Sequence, residues 1–429
     1  MTKRLALLAV LAVSRYLPAQ TMDTLRLRDL QQAAVQNDPR GRTLRLLQQQ
    51  SNLKLENIRA EQLPSFAVNG QAQYQSTTFT LPINVPGVNI PTPKRDTYDA
   101  HVDARELLFD PTRGARTNLE RAQLAESQAR VNTSLYSLRQ SVNDAYFTAL
   151  LLQERGAIER ASATDLQAQY KVARARVREG AALPSEAATI AAALIARGQS
   201  LAEIESNRRA ALNILSDLTG QPIDASVRLT IPADESGSVN RNNVTALNGR
   251  PELTQFQRAR DALEAQRAVV AKKEMPRVSA FGRAGYGRPG LNPLSREFDS
   301  YWIAGLQLDW APFSWGSNAR DRQALSIQSE IIANDEAAFR QSIARGTEND
   351  LASIERLSGV IAADDSIIAL RETILEETRA RYRESVITSA EYVDRQTDLL
   401  AAQLMRASHR VELAQAYARL ETTTGTGAR

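Results

Sequence analysis

The sequence contains no cysteine. That excludes a disulfide framework, a thiolate metal site and a lipoprotein-type acylated cysteine. It also suits an oxidising compartment. Aromatic residues make up only 5 % of the chain and histidine occurs twice, at His101 and His409. Neither histidine has a partner pattern that would suggest catalysis. No segment has the roughly 18 consecutive apolar residues that a membrane-spanning helix needs. Proline is missing from long stretches: Pro184 alone lies between Pro111 and Pro222, and none follows Pro312. A composition of few aromatics, 24 % charged residues and recurrent Ala, Leu, Arg, Glu and Gln points to long helices rather than compact globular cores. The glycines of GRAGYGRPG lead into no helix, so they do not form a phosphate cradle. These observations argue against an enzyme and give no catalytic residue, metal site or cofactor.

The formal charge of +4 is mild. The opening MTKRLALLAVLAVSRYLPAQ has the form of a secretory signal peptide: Lys3 and Arg4, an apolar run, then Leu17-Pro18-Ala19. Cleavage after residue 19 removes Lys3, Arg4 and Arg15 and no acid, which takes the charge from +4 to +1. A nearly neutral chain of this kind gives no support to nucleic-acid binding.

The sequence repeats itself once. Leu63-Pro64 pairs with Met275-Pro276 and Pro39 with Pro251, an offset of 212. Phe109 pairs with Phe313 at 204. Arg176 then pairs with Arg381, Glu179 with Glu384 and Gly220 with Gly425, all at 205. The change of offset predicts one loop, between about 76 and 97, that is shorter in the second copy. The expected organisation is a signal peptide at 1–19, a first repeat at 20–220, an irregular equatorial linker at 221–250 and a second repeat at 251–425.

Each repeat predicts helix, strand, strand, long helix, turn, helix. Strands are expected at 64–76, 98–109, 276–287 and 300–311. In YDAHVDAR, Tyr98, Ala100, Val102 and Ala104 alternate with Asp99, His101, Asp103 and Arg105, a period of two. Phe66 and Tyr74 lie on the apolar side of the first strand, Trp302 and Trp310 on that of the last. Trp302 and Trp310 are eight residues apart. At about 3.3 Å per residue they are separated by roughly 26 Å, close to the spacing of the two aromatic girdles of an outer-membrane barrel. Phe66, Tyr74, Trp302 and Trp310 are therefore candidate lipid-facing girdle residues. The segment 277–286 fits less well, because Phe281 falls on the side of Arg277 and Arg283. Four strands cannot close a barrel, so a barrel would have to be shared between chains.

Long helices are expected at 112–179 and 317–384, each about 100 Å at 1.5 Å per residue. Leu135, Leu138, Val142, Ala145, Ala149 and Leu152 keep a 3-4-3-4-3 spacing, as do helices that pack lengthwise. The turns fall at 180–185 and 385–389. Gly180 suits a left-handed helix end, and Pro184 suits the first turn of the next helix. Residues alone also allow a non-channel coiled-coil envelope scaffold or adhesin.

The duplicated unit, the LPSF and WAPFSWG junctions and the Arg-x-x-x-Gly turn together resemble TolC-like outer membrane efflux proteins, over about residues 25–425. The resemblance implies a mainly α fold with a small membrane β-barrel. It implies a homotrimer with a shared 12-stranded barrel in the bacterial outer membrane and an α-helical tunnel in the periplasm. The partners it implies are outer membrane lipid, a periplasmic adaptor (membrane fusion) protein and an inner-membrane transporter. The cargo would be small molecules, metal ions or polypeptides. It implies adaptor docking at the turns, on Arg176, Gly180, Ala181, Ala182 and Leu183 and on Arg381, Ser385, Val386 and Ile387. It also implies a ring of carboxylates just past the second turn, at Glu391 and Asp394, with Glu186 the counterpart in the first repeat. The second turn departs from the family pattern: Ser385 replaces the usual glycine, and Ile387 stands where some members carry arginine.

Overall fold

A computed structural model of the chain describes residues 24–78, 92–232 and 249–426. The expected signal peptide, the middle of the first strand-to-strand loop and much of the linker lie outside the described residues. The elements run β1 (Thr24–Leu25), α1 (Leu27–Asn37), α2 (Arg40–Ala60), β2 (Ser65–Tyr74), β3 (Asp96–Phe109), α3 (Thr112–Tyr136), α4 (Leu138–Arg178) and α5 (Pro184–Thr219) in the first repeat. They continue with β4 (Arg228–Leu229), α6 (Pro251–Lys272), β5 (Arg277–Arg288), β6 (Asp299–Asp309), α7 (Ser317–Arg383) and α8 (Ser389–Thr424). The fold is mainly helical. The stretch expected as one helix at 112–179 is interrupted at Ser137, whose hydroxyl donates to the Ser134 carbonyl at 2.8 Å. Its counterpart α7 is unbroken over 67 residues.

The chain divides into two units. One comprises Val35–Gln140, Ser238–Ala352 and Arg419–Arg429 and contains a four-stranded antiparallel sheet, order β2-β3-β5-β6. The repeats thus pair hairpin to hairpin through β3 and β5. The register sets Phe66 opposite Ala104, Val102 opposite Ala284, and Ala284 opposite Trp302. Directly opposed residues share a face, so even-numbered positions form one face and odd-numbered positions the other. The even face is apolar and exposed, with Phe66, Val68, Tyr74, Trp302, Leu306 and Leu308. A register shift between Leu107 and Phe109 then sets Phe109 opposite Val278, so a bulge turns this aromatic onto the apolar face.

The odd face is polar. Asp103 accepts from Arg283 Nε at 2.7 Å and from Asn69 Nδ2 at 2.8 Å. His101 stands between Asp99, bound through Nδ1, and Asp103, 3.3 Å from Nε2. Arg105 pairs with Asp309 at 3.3 Å. Phe281, the residue that spoils the alternation of its strand, lies opposite Gly305, where an added Cβ would meet its ring at 2.9 Å. Tyr301 covers Gly285 in the same way, at 2.7 Å. Each aromatic fills the space left by the glycine across from it, so an apolar ring lies on a polar face without breaking the sheet.

In the same unit Arg250 is held between the rings of Tyr136, 5.0 Å away, and Phe339, 5.4 Å away. Arg250 Nη1 and the Tyr136 hydroxyl both donate to the Thr422 carbonyl, at 2.8 and 2.7 Å. Two side chains therefore satisfy a carbonyl in the last turn of α8, where the helix cannot.

The other unit comprises Met1–Ala34, Ser141–Gly237 and Ser353–Ala418. Its main core joins Leu27, Leu30, Val142, Phe147, Leu150 and Leu215. Val142, Ala145 and Ala149 of the expected packing seam are buried there. β1 pairs in parallel with β4. The Gln153 amide of α4 extends that pairing: Nε2 donates to the Leu229 carbonyl and Oε1 accepts its N–H, both at 2.9 Å. A second core, around Leu166, Ile190, Leu375, Tyr382 and Tyr392, lies beside the two helix reversals.

Candidate functional site

Both reversals close by the same hydrogen bonds. In the first, Gly180 N–H donates to the Val177 carbonyl at 3.2 Å and Ala181 N–H to the Arg176 carbonyl at 2.8 Å. In the second, Ser385 N–H donates to Tyr382 at 3.1 Å and Val386 N–H to Arg381 at 2.9 Å. This is the Schellman pattern, which needs one left-handed residue. Gly180 takes it at φ 72° and Ser385 at φ 60°. The returning helix α5 then starts at Pro184, where no donor is required.

The reversals brace one another. Arg176 Nη1 donates to the Tyr382 carbonyl at 3.1 Å and Nη2 to the Arg383 carbonyl, so a first-repeat cation closes the C-terminus of α7. Its guanidinium lies 5.8 Å from the Tyr382 ring centre. Glu186 Oε2 accepts the Ser389 N–H at 2.6 Å, so a first-repeat anion closes the N-terminus of α8. Arg381 is exposed, as are Ala181, Leu183, Ser385 and Val386, whereas Ala182 and Ile387 are half-buried. Ile387 packs against the second core.

Glu391 and Asp394 are exposed on α8, while Tyr392 and Gln396 of the same turns are buried. Sequence reasoning missed what those two buried residues do. The Tyr392 hydroxyl donates to Asp165 Oδ2 at 2.6 Å and Gln396 Nε2 donates to the same oxygen at 3.1 Å. Arg379 Nη2 donates to Asp165 Oδ1 at 2.9 Å. One carboxylate of α4 thus collects donors from α7 and α8. Burial, then the bond to Asp165, pushes the Tyr392 phenol well above its ordinary value. Burial alone would lower the Arg379 guanidinium, but Asp165 beside it carries it above the usual value. Tyr382, stacked on Tyr392 with ring centres 5.4 Å apart, is raised by burial and by Glu186. No sequence signal separates Asp165 from the other helix acids. Its partners lie 214 to 231 residues away.

Of the girdle candidates, Phe66, Tyr74, Trp302 and Trp310 are all exposed, and Trp310 Nε1 donates to the Glu274 carbonyl at 3.1 Å. His409 Nδ1 lies 2.6 Å from the buried Asp364, and Asp365 pairs with Arg406. Among the described residues no group of three or more His, Asp or Glu side chains is placed to hold a metal, and no helix is long and apolar enough to cross a membrane.

Duplicated hairpins of long helices joined to a sheet with one apolar, exposed face define the fold of a membrane channel protein. The model of the outer membrane efflux protein family matches residues 30–221 and 244–426, and the chain belongs to that family. No curated protein matches it in sequence. Among solved structures it is similar to the outer membrane protein VceC of Vibrio cholerae, with 15 % identity over 94 % of this chain and 97 % of that one, TM-score 0.67. The CmeC outer membrane channel of Campylobacter jejuni is similar at 15 % identity, over 94 % and 86 %, TM-score 0.67. The open state of the MtrE outer membrane channel of Neisseria gonorrhoeae is similar at 20 % identity, over 94 % and 90 %, TM-score 0.67.

Proposed function

We propose that three copies of this chain form one export conduit, a twelve-stranded outer-membrane barrel continued by a periplasmic helical tunnel. The observation that carries this reading is the sheet. One face is apolar and exposed, the other is charged, and among the described residues the outer strands β2 and β6 are paired on one side only. Unpaired strand edges cannot face lipid, and four strands cannot close on themselves. Joining β2 of one copy to β6 of the next satisfies both edges. α7 exposes Ile367, Leu370 and Ile374, a stripe at helical spacing that suits packing against a neighbouring copy.

The conduit takes small molecules, metal ions or polypeptides from the periplasm to the exterior. It works with a periplasmic adaptor and an inner-membrane transporter, and conducts without catalysing a reaction. The exposed Leu183, two residues past the last donor of the first turn, and the exposed Val386, whose N–H closes the second turn, suit apolar docking of an adaptor. Arg176 and Glu186 support this surface from beneath by fixing both ends of the second reversal. Glu391 and Asp394 act as the carboxylate gate. A channel explains the two-faced sheet, which a coiled-coil scaffold or adhesin leaves without a role.

The test is the mass of the purified protein in detergent together with its conductance in a planar bilayer. A three-chain particle that conducts is expected. A monomeric or dimeric rod without conductance would overturn the reading.

A further inference from the structure

Arginine is concentrated at one place on a chain whose net charge is small. Arg160 of α4, Arg208 and Arg209 of α5 and Arg228 of β4 line a single cleft of about 580 Å³, in which the acids are Glu154 and Glu205. All six residues belong to the same unit.

Arg208 is the fixed member. Its Nη1 donates to the Ala225 carbonyl at 2.6 Å and its Nη2 to the Val227 carbonyl at 2.5 Å. Nη2 also lies 3.5 Å from Gln153 Oε1. These acceptors are uncharged, so the guanidinium ties the linker to the helices without being neutralised. Burial, and then the Arg160 guanidinium, push Arg208 below its ordinary value, and Glu205 offsets them only in part. The other three arginines are exposed. Arg160 reaches Glu205 at 3.4 Å with both side chains more than half exposed, a kind of pair that contributes little. Arg209 Nε donates to the Glu205 backbone carbonyl at 3.4 Å. Among the described residues neither Arg209 nor Arg228 pairs with a carboxylate.

A cleft lined by an excess of one charge draws in the opposite one. Every cation here is a guanidinium, whose planar fork matches phosphate and carboxylate oxygens two at a time. Leu152, Ile204 and Val227 add an apolar lining. The volume falls within the range of small-molecule sites, about 300–1,000 Å³, and a lone inorganic ion would leave most of it unfilled.

We propose that this cleft binds a small organic anion carrying two or more phosphate or carboxylate groups. The anion bridges Arg160 of α4, Arg209 of α5 and Arg228 of β4, and so holds the linker to the helix pair. Arg208, already bound to the linker carbonyls, adds its charge from the same cleft. Every residue of the site belongs to one chain, so it needs neither the three-chain assembly nor the conduit.

The test is calorimetric titration of the full-length protein in detergent with citrate and with pyrophosphate, each against sodium chloride of equal ionic strength. Saturable binding of at least one of them is expected. Tighter binding of pyrophosphate would assign phosphate as the ligand group and tighter binding of citrate would assign carboxylate; either supports the site. Arg209→Gln together with Arg228→Gln should weaken binding at least about tenfold. Arg130→Gln, which removes an exposed arginine of α3, should leave it unchanged. If the double variant does not fold, amide hydrogen exchange of the unmodified protein decides: the anion should slow exchange at residues 225–229 and leave residues 126–130 as they were. Absence of saturable binding by both anions at millimolar concentration would overturn the proposal. So would binding that the double variant retains at full strength, or that slows no exchange at 225–229, since the anion would then occupy another place.

Discussion

The carboxylate of Glu186, in the first turn of α5, accepts the N–H of Ser389, in the first turn of α8, at 2.6 Å. The two residues are 203 apart in sequence. The bond places a negative charge at the positive end of a helix dipole and satisfies a donor the helix leaves free. Glu186→Ala should destabilise this end of the protein by about 1 kcal/mol. Glu186→Gln, which keeps an acceptor but not the charge, should lose about half as much. Amide hydrogen exchange at residues 389–392 is the local measurement: faster exchange is expected in both variants, and more so in the alanine.

Ser385 and Gly180 hold the same conformation at equivalent positions, but only glycine holds it without a Cβ penalty. Ser385→Gly should stabilise the protein by about 1 kcal/mol, and Gly180→Ala should destabilise it by about as much. The Cβ added at Gly180 would meet nothing within 4 Å, so its effect is conformational rather than steric. Denaturant unfolding of the two variants should move in opposite directions.

The raised Tyr392 phenol implies an alkaline limit. Its folded value lies above the unfolded value of about 10. The stability it lends is therefore fully present below pH ~10 and is lost as pH rises from there toward and through the folded value. Tyr392→Phe should cost about 1–2 kcal/mol at neutral pH through the lost bond to Asp165. It should also flatten the alkaline part of the stability profile. Thermal unfolding between pH 8 and pH 11 separates the two effects.

Much of this architecture was legible because it rests on short-range patterns. Alternation along Tyr98, Ala100, Val102 and Ala104 identifies a strand, and the Gly180 and Ser385 turns are aligned by a constant offset. What alternation cannot name is the neighbour, so the pairing of β3 with β5 across the repeats was not readable. Phe281 looked misplaced because the glycine that receives its ring, Gly305, is on another strand. The Asp165 cluster and the Arg250 stack were invisible for the same reason. Their residues are ordinary helix acids, arginines and aromatics until the fold brings them together.

Gly249 and Gly425 cross closely enough that a Cβ at Gly249 would lie 2.2 Å from the Gly425 carbonyl oxygen. The obstacle is backbone, which cannot turn aside as a side chain does. Gly249→Ala should destabilise by about 1–3 kcal/mol, the usual range for overpacking. Gly114→Ala is the control. It lies within α3 with nothing inside 4 Å of the added carbon, and should stabilise by about 0.5–1 kcal/mol. If both substitutions lowered the unfolding midpoint alike, the close crossing would not be the cause.

Glu391 and Asp394 are three residues apart on an exposed face of α8, while Tyr392 and Gln396 bind Asp165 on the buried side of the same turns. The proposed gate is thus chemically separate from the bonds that hold its helix. In a three-chain assembly the two positions would bring six carboxylates together. Crowded like charges repel and attract cations. Replacing both with alanine should leave thermal stability nearly unchanged, raise single-channel conductance and reduce cation selectivity. The change in selectivity should be largest at low ionic strength, where screening is weakest. Tyr392→Phe provides the contrast, since it weakens the helix packing and leaves both carboxylates in place. If the alanine pair changes neither conductance nor selectivity, the constriction lies elsewhere and these acids are only a solvated helix face.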